Sequence, residues 1–477
     1  MFFTSLPFLI FLPIVFLLYW FVFNKVKSQN LFIVAASYFF YGWLDWRFLI
    51  LIFITTFSTF LSGILYEKFY NNFKLKKAIT IFNILLNLLI LCVFKYYNFF
   101  TDNLHLLFEG IGIHFDLTTL YLILPIGISF YTFQAIGYTF DVYSNKIKAT
   151  NDGVAFFAYM SFFPQLTSGP ISKAPEYLPQ FLKKRDFDYN LAVDGMRQIL
   201  WGVFKKMVVA ESCATLVNPI FSDIHNQSGS TLLLGAIYYT FQIYCDFSGY
   251  SDIAVGIGKL FGIKLINNFN LPYFSRDITE FWRRWHISLT SWFRDYIYIP
   301  LGGNRVNKIT RIRNTIIIFL ISGLWHGANW TFICWGAYHA ILFIPHLIFN
   351  VKVKHVDSHG FGRPLSSVNE IWKVLKTFCL VCLGWIIFRA NTIKEAFDYI
   401  KGIFSASLFS FPQVIGYKAL FFIILLLFVE WLQRTETHTL NISKIKSPMV
   451  RIGIYLIVFF LIMEYGGNQS AFIYFKF

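Results

Sequence analysis

The chain has 477 residues, 56% of them hydrophobic and 14% charged, with Phe, Tyr and Trp supplying 21%. Soluble domains carry roughly 25% charged residues, and a water-soluble fold of this length could not hide so much apolar surface, so a bilayer must solvate it. The formal charge of +16 does not mark a nucleic-acid surface either, because it is dealt out among loops in a topological pattern.

The start, Met1 to Phe23, lacks a basic n-region and a small-residue cleavage site, so it reads as a retained first span and not a signal peptide. Apolar blocks follow at Phe48–Tyr66, Ile79–Phe94, Leu117–Phe140, Thr315–Gly336, Ile371–Phe388, Leu420–Glu430 and Ile452–Met463. A crossing takes about 20 residues, so the expectation is an all-α polytopic membrane protein of about 10–12 transmembrane helices plus re-entrant or interfacial helices. Lys25 and Lys27 follow the first block, and Lys68, Lys74, Lys76 and Lys77 form a second basic loop. The turn Asp45–Arg47 is neutral, and Asp102, Glu109 and Asp116 make the next loop acidic. This alternation follows the positive-inside rule and puts the N-terminus outside and the basic loops in the cytoplasm.

Three stretches are expected: an N-terminal transmembrane scaffold over 1–116, a core over 117–349, and C-terminal helices with an outer tail over 350–477. In the core, Gly and Pro break the apolar runs at Leu124-Pro-Ile-Gly127, Phe163-Pro-Gln165 and Ser168-Gly-Pro170. Broken helices at membrane depth survive only where they are buried in protein or line a wet cavity, so the functional cavity is expected there.

Asp246 and Asp252 stand in an apolar stretch and require partners. They could orient a histidine, pair with Arg276 or Arg283, or cap a helix. Asp277 and Glu280 form a capping box, after which Ile278, Phe281, Trp282, Trp285, Leu289, Trp292, Phe293 and Tyr296 recur at helical spacing as one aromatic stripe. Arg283 and Arg294 fall on a shared face away from it, suited either to phosphate-like groups or to lipid headgroups. His286 points inward, where a structural role competes with a functional one.

Arg305, Lys308, Arg311 and Arg313 mark a cytoplasmic interface, from which an apolar helix runs to Ser322-Gly-Leu-Trp-His326-Gly-Ala-Asn-Trp330. The thirteen residues from Arg313 to His326 rise roughly 20 Å in a hydrocarbon core about 30 Å thick. An ionisable ring at that depth is costly and signals function. Ser322 and Asn329 would share its helical face and fix its tautomer, and Gly323 and Gly327 admit a close neighbour. His339 would lie on the opposite face if the helix continued, and reads as structural. No pair among His286, His326, Asp246 and Asp252 has the i, i+4 spacing of helical metal ligands, so no metal is expected. Cys379 and Cys382 read as buried structural cysteines.

Leu124-Pro-Ile-Gly-Ile-Ser-Phe-Tyr131, Phe163–Pro170, Asp246–Asp252, Trp282–Trp292, Pro300-Leu-Gly-Gly-Asn304, Ser322–Trp330 and Trp385-Ile-Ile-Phe-Arg389 together resemble the membrane-bound O-acyltransferase (MBOAT) superfamily. Within it, they resemble the branch of alginate and peptidoglycan O-acetylation subunits, which is related to the teichoic-acid D-alanylation transporter. The resemblance implies a through-membrane tunnel and an O-acetyltransferase serving a cell-surface polysaccharide, with His326 as catalytic base and His286 as the branch's second histidine. It implies acetyl-CoA as donor, its phosphates meeting the basic rim of Arg305, Arg311 and Arg313 with Arg283 and Arg294. Asp246, Asp252, Ser322, Trp325 and Asn329 are expected as orienting or tunnel residues. An exported, periplasmic O-acetyltransferase would receive the acetyl group, and the chain would sit in a bacterial cytoplasmic membrane.

At the C-terminus, Lys444, Lys446 and Arg451 look cytoplasmic, so the tail Phe472–Phe477 should lie outside. It resembles a terminal aromatic motif of the branch, which makes Tyr474 a candidate acyl carrier; an interfacial aromatic anchor is the competing role. A polysaccharide or lipid-linked precursor transporter without acyl chemistry would share the broken helices and intramembrane polar groups, but would not depend on His326. A lipid-linked glycosyltransferase would place outer acidic residues beside a metal, a weak match to Asp102, Glu109 and Asp116.

Overall fold

A computed structural model of the chain describes residues 1–113, 119–120, 122–167, 169–349, 367–467 and 473; among these every regular element is helical. Packing divides the chain into two compact units, Met1–Asp188 with Leu260–Leu265, and Tyr189–Lys259 with Ile266–Phe477. The boundaries expected from composition, at 116/117 and 349/350, touch residues outside the described set.

The first unit holds α1 (Leu6–Leu17), continued by a π turn to Val22, then α2 (Val26–Gly42), α3 (Phe48–Lys68), α4 (Phe73–Leu91), α5 (Tyr97–Gly110), α6 (Ile128–Tyr143) and α7 (Gly153–Ser161). Three single turns follow: α8 (Phe163–Leu166), α9 (Ala174–Tyr177) and α10 (Pro179–Leu182). Helices α3, α4 and α6 pack on one another through a polar seam that includes Thr55, Thr59, Asn83 and Thr139, where Asn83 Nδ2 donates to Thr139 Oγ1 at 2.7 Å. Their outward faces carry Phe53, Phe82, Leu85 and Leu89, all exposed. Polar groups inside and Leu and Phe outside invert the soluble pattern, because lipid is as apolar as leucine and gives no reward for burying it.

The second unit holds α11 (Tyr189–Phe204), a π turn over Lys205–Ala210, α12 (Glu211–Ser222), α13 (Gly229–Leu260), α14 (Ile278–Arg284) and α15 (Ile287–Phe293). It continues with α16 (Lys308–His326), α17 (Trp330–Ile348), α18 (Val368–Arg389), α19 (Ile393–Ile403), α20 (Tyr417–Leu432) and α21 (Pro448–Tyr465).

Among the described residues, five helices are long and apolar enough to cross a membrane: Phe48–Lys68, Phe73–Gly110, Trp330–Ile348, Val368–Arg389 and Pro448–Tyr465. Leu6–Val22 is a shorter apolar helix. Two expected elements are broken. The block Thr315–Gly336 is not one span, since α16 stops at His326 and Asn329 caps the start of α17 by accepting from Thr331 N. The aromatic stripe 278–296 is not one helix: Trp285 is extended, and His286 takes φ 45°, ψ 54°. Cys382 is buried on α18, but Cys379 faces outward, against expectation.

Candidate active site

His326 ends α16, and its ring is 3% exposed. Trp325 and Trp335 meet it edge-on at 4.9 and 5.0 Å between ring centroids, and Phe388 does so at 5.3 Å. Such edge-to-face packing is the favourable geometry of aromatic quadrupoles. Trp335 comes from α17 because the chain folds back after His326. The turn works sterically because Gly323 and Gly336 face each other across the hairpin; a Cβ on Gly323 would strike the Phe332 carbonyl, and one on Gly336 the Phe319 carbonyl. Without those Cβ atoms the two helices lie close enough for Trp335 to reach the ring.

The fold-back corrects two expectations. Asn329 is not one turn above His326 on the same helix; its side chain caps α17 and donates to the Asn391 carbonyl at 3.0 Å. His339 is not on an opposite face but packs on Trp335 at 4.9 Å and Trp282 at 5.0 Å. Ser322 is buried on α16.

His286 joins the same aromatic cluster. Its ring lies 5.8 Å from Trp325 and 4.7 Å from Phe247, and both ring nitrogens are buried without a hydrogen-bond partner among the described residues. A left-handed backbone at a non-glycine residue costs energy and persists only where the surroundings enforce it. Here the backbone is held by Asn268, whose carbonyl accepts from Ile287 N at 2.9 Å and whose Oδ1 accepts from Ser288 N at 3.2 Å. Asp277 does cap α14, accepting from Glu280 N at 2.8 Å, and Glu280 Oε2 accepts from Arg276 N at 2.9 Å.

The two aspartates meet lysines and not arginines. Lys206 Nζ lies 2.5 Å from Asp246 Oδ1, and Lys205 Nζ lies 2.6 Å from Asp252 Oδ2. Lys206 also reaches Glu211 at 3.4 Å, Lys205 donates to Ser248 at 2.8 Å, and Gln198 donates to Asp252 at 2.9 Å. Tyr244 completes the network by donating to the buried Glu430 at 2.7 Å. What brings the lysines in is a glycine seam: Gly195 and Gly202 on α11 face Gly256 and Gly249 on α13, and an added Cβ at any of them would collide with the opposite backbone. The π turn that follows fits the tendency of such turns to occur at functional sites. Asp246 has a second duty, since its Oδ2 accepts the backbone N–H of Ile473 at 2.7 Å. Tyr474 itself lies outside the described residues.

Of the arginines expected to meet the donor, Arg283, Arg294, Arg305 and Arg313 are exposed, and Arg311 is partly buried. Arg294 pairs with Asp295 at 2.7 Å, and Arg313 donates to Asn314. Sequence reasoning passed over Lys205 and Lys206, as well as Arg284, which is buried against Glu280 at 2.9 Å.

Residues 149–383 match the sequence pattern of the family described as MBOAT, membrane-bound O-acyltransferase family. The chain is 38% identical over 407 residues to a Pseudomonas aeruginosa protein named Probable alginate O-acetylase AlgI, across 85% of this chain and 75% of that protein. It is 36% identical over 430 residues to the Helicobacter pylori Peptidoglycan O-acetyltransferase, across 84% and 79% of the two chains. A Streptococcus thermophilus Teichoic acid D-alanyltransferase is 34% identical over 281 residues, 55% of this chain and 68% of that one.

Proposed function

The chain belongs to the membrane-bound O-acyltransferase family, a multi-pass membrane acyltransferase, and from that premise we propose that it takes acetyl from cytoplasmic acetyl-CoA and carries it across the membrane for O-acetylation of a cell-surface polysaccharide. The relatives' names supply the substrate class, an alginate-like or peptidoglycan hydroxyl. The observation that carries the reading is His326, an imidazole enclosed by Trp325, Trp335 and Phe388 at the end of an apolar helix.

An imidazole in such surroundings acts as a base without competing water. In the proposed step His326 takes the proton of an attacking hydroxyl as its oxygen bonds to the thioester carbonyl carbon; the C–S bond then breaks, and the thiolate recovers the proton from the imidazolium. Because the ring is 3% exposed, the aromatic wall must part for the thioester to reach it. His286 lines the same cluster through Trp325 and acts as the second histidine of the site. Arg283, Arg294, Arg305, Arg311 and Arg313 receive the phosphates of the donor. Asp246, Asp252, Ser322, Trp325 and Asn329 support the site; for the aspartates the support runs through Lys206 and Lys205, and for Asn329 through the cap of α17.

The hydroxyl that first attacks is assigned to Tyr474, which carries acetyl to an exported O-acetyltransferase; in support, Asp246 accepts the N–H of Ile473, its neighbour in sequence. The chain then lies in a bacterial cytoplasmic membrane with both termini outside. The test is to feed labelled acetyl-CoA to inverted membrane vesicles: label should appear in lumenal acceptor with the unaltered chain and vanish with His326→Ala at equal abundance. Equal labelling by the two would refute the assignment.

A further inference from the structure

Arg185 carries a charge into the first unit with no carboxylate among the described residues to meet it. The residue is 7% exposed. Its Nη2 donates to Asn30 Oδ1 at 2.7 Å and Gln29 Oε1 at 3.4 Å, and its Nη1 to the Gln180 carbonyl at 3.4 Å, all neutral acceptors. The guanidinium lies over the rings of Tyr19 and Phe181, at 5.8 and 5.7 Å, and Nε is buried without a hydrogen-bond partner among the described residues. Arginines this deeply buried are almost always paired. The acid next in sequence does not serve, because Asp186 is 77% exposed and turned to Lys184 at 2.8 Å. Burial lowers the Arg185 pKa from its usual value, which nearby Tyr19 and Tyr177 oppose.

A cavity of about 350 Å³ adjoins this guanidinium, lined also by Trp20, Phe21, Gln29, Lys184, Phe187 and Asp186, whose carboxylate is held by Lys184. Its chemistry is divided. One side offers Arg185, Lys184 and the Gln29 amide; the other is aromatic, with Phe187 packed edge-on against Trp20 at 5.5 Å and Phe21 75% exposed on the apolar helix Leu6–Val22. Lys25, Lys27 and Lys183 flank the lining residues in sequence, so this end of the helix is the basic one. Basic pockets beside a membrane helix suit anionic lipid headgroups, and tryptophan and lysine at such a level are interfacial anchors.

We propose that this cavity seats the phosphate of an anionic phospholipid, with Arg185 as its buried anchor, Lys184 at its mouth and the aromatic side against the acyl chains. A free phosphate would use the cations but leave Phe21 and Phe187 without purpose. The site lies within the first unit and does not depend on the acyl-transfer reading.

The test uses the full-length chain in neutral detergent, with native mass spectrometry to count retained lipid and thermal melting as a second readout. Phosphatidylglycerol should be retained in preference to phosphatidylcholine and should raise the melting temperature. Arg185→Gln should weaken phosphatidylglycerol retention by roughly tenfold or more, the loss of a charge-assisted contact. Should that variant fail to fold, Lys184→Gln decides, since Lys184 is 70% exposed and its loss leaves Asp186 to repel a phosphate: a reduced preference supports the site. Equal retention of the two lipids, an unaltered preference in Lys184→Gln, or a melting shift given by millimolar inorganic phosphate and not by phosphatidylglycerol would each overturn the assignment.

Discussion

Lys206 Nζ lies 2.5 Å from Asp246 Oδ1, with the two side chains 4% and 2% exposed. Removing one member of such a pair strands the other charge in a low-dielectric interior, and costs about 3–5 kcal/mol. Lys206→Met should therefore lower the melting temperature of the purified chain sharply, and adding Asp246→Asn should recover part of the loss. A double variant worse than the sum of its parts would show that the pair is not the unit.

His286 and its backbone can be separated by experiment. Its φ of 45° is strained for alanine and free for glycine, so His286→Gly should be more stable than His286→Ala by about 1 kcal/mol. Loss of acetyl transfer in both variants at equal abundance would assign the loss to the imidazole; loss in the alanine variant alone would assign it to folding.

His326→Ala should reduce acetyl transfer by roughly 10²- to 10⁴-fold, the span of a positioned general base, while membrane abundance holds. A variant retaining most of the rate in a vesicle assay would remove His326 from the mechanism.

Tyr474→Phe keeps the aromatic ring and deletes only the hydroxyl. If that oxygen carries acetyl, transfer to the lumenal acceptor stops while membrane abundance is unaltered. Full activity would leave Tyr474 as an interfacial anchor.

A pH dependence follows from Asp194, on α11 outside the candidate spans. Burial pushes its carboxyl up, but hydrogen bonds with His438 at 2.8 Å and Lys259 at 2.5 Å outweigh that and hold it well below the usual range. A depressed carboxyl contributes stability above its unfolded value, about 3.9, and loses it as pH falls through the folded value. The melting difference between the unaltered chain and Asp194→Asn should be full at neutral pH and close only below about pH 4. A difference that closed between pH 7 and 5 would contradict the assignment to Asp194.

The lipid-facing helices were legible because a bilayer selects long apolar runs: Phe48–Lys68, Val368–Arg389 and Pro448–Tyr465 sit on blocks visible in the sequence. The cap at Asp277 was legible for a local reason, a side chain three residues from its amide. Lys205 and Lys206 were not, since two adjacent lysines look like a loop edge until Gly195, Gly202, Gly249 and Gly256 are seen to draw α11 and α13 together. The break at His286 escaped because the aromatic spacing on either side stays helical, and only the contacts with Asn268 reveal the interruption. The place of His339 beside Trp335 and Trp282 was not legible for one cause, the stop at His326 that ends the helix and turns the chain into a hairpin.

The wide turn Lys205–Ala210 also gives the chain an arithmetic allowance. A π turn accommodates one residue more than an α turn, and that surplus fixes the phase between α11, which ends beside the lysines, and α12, which begins with Glu211. Each residue of an α-helix advances about 100° around the axis. A one-residue deletion between Lys206 and Glu211 would let the segment relax into ordinary helix and leave the two residues four apart, still on one face. This stretch should thus bear the loss of one residue between the pair far better than the loss of the Lys206 side chain itself.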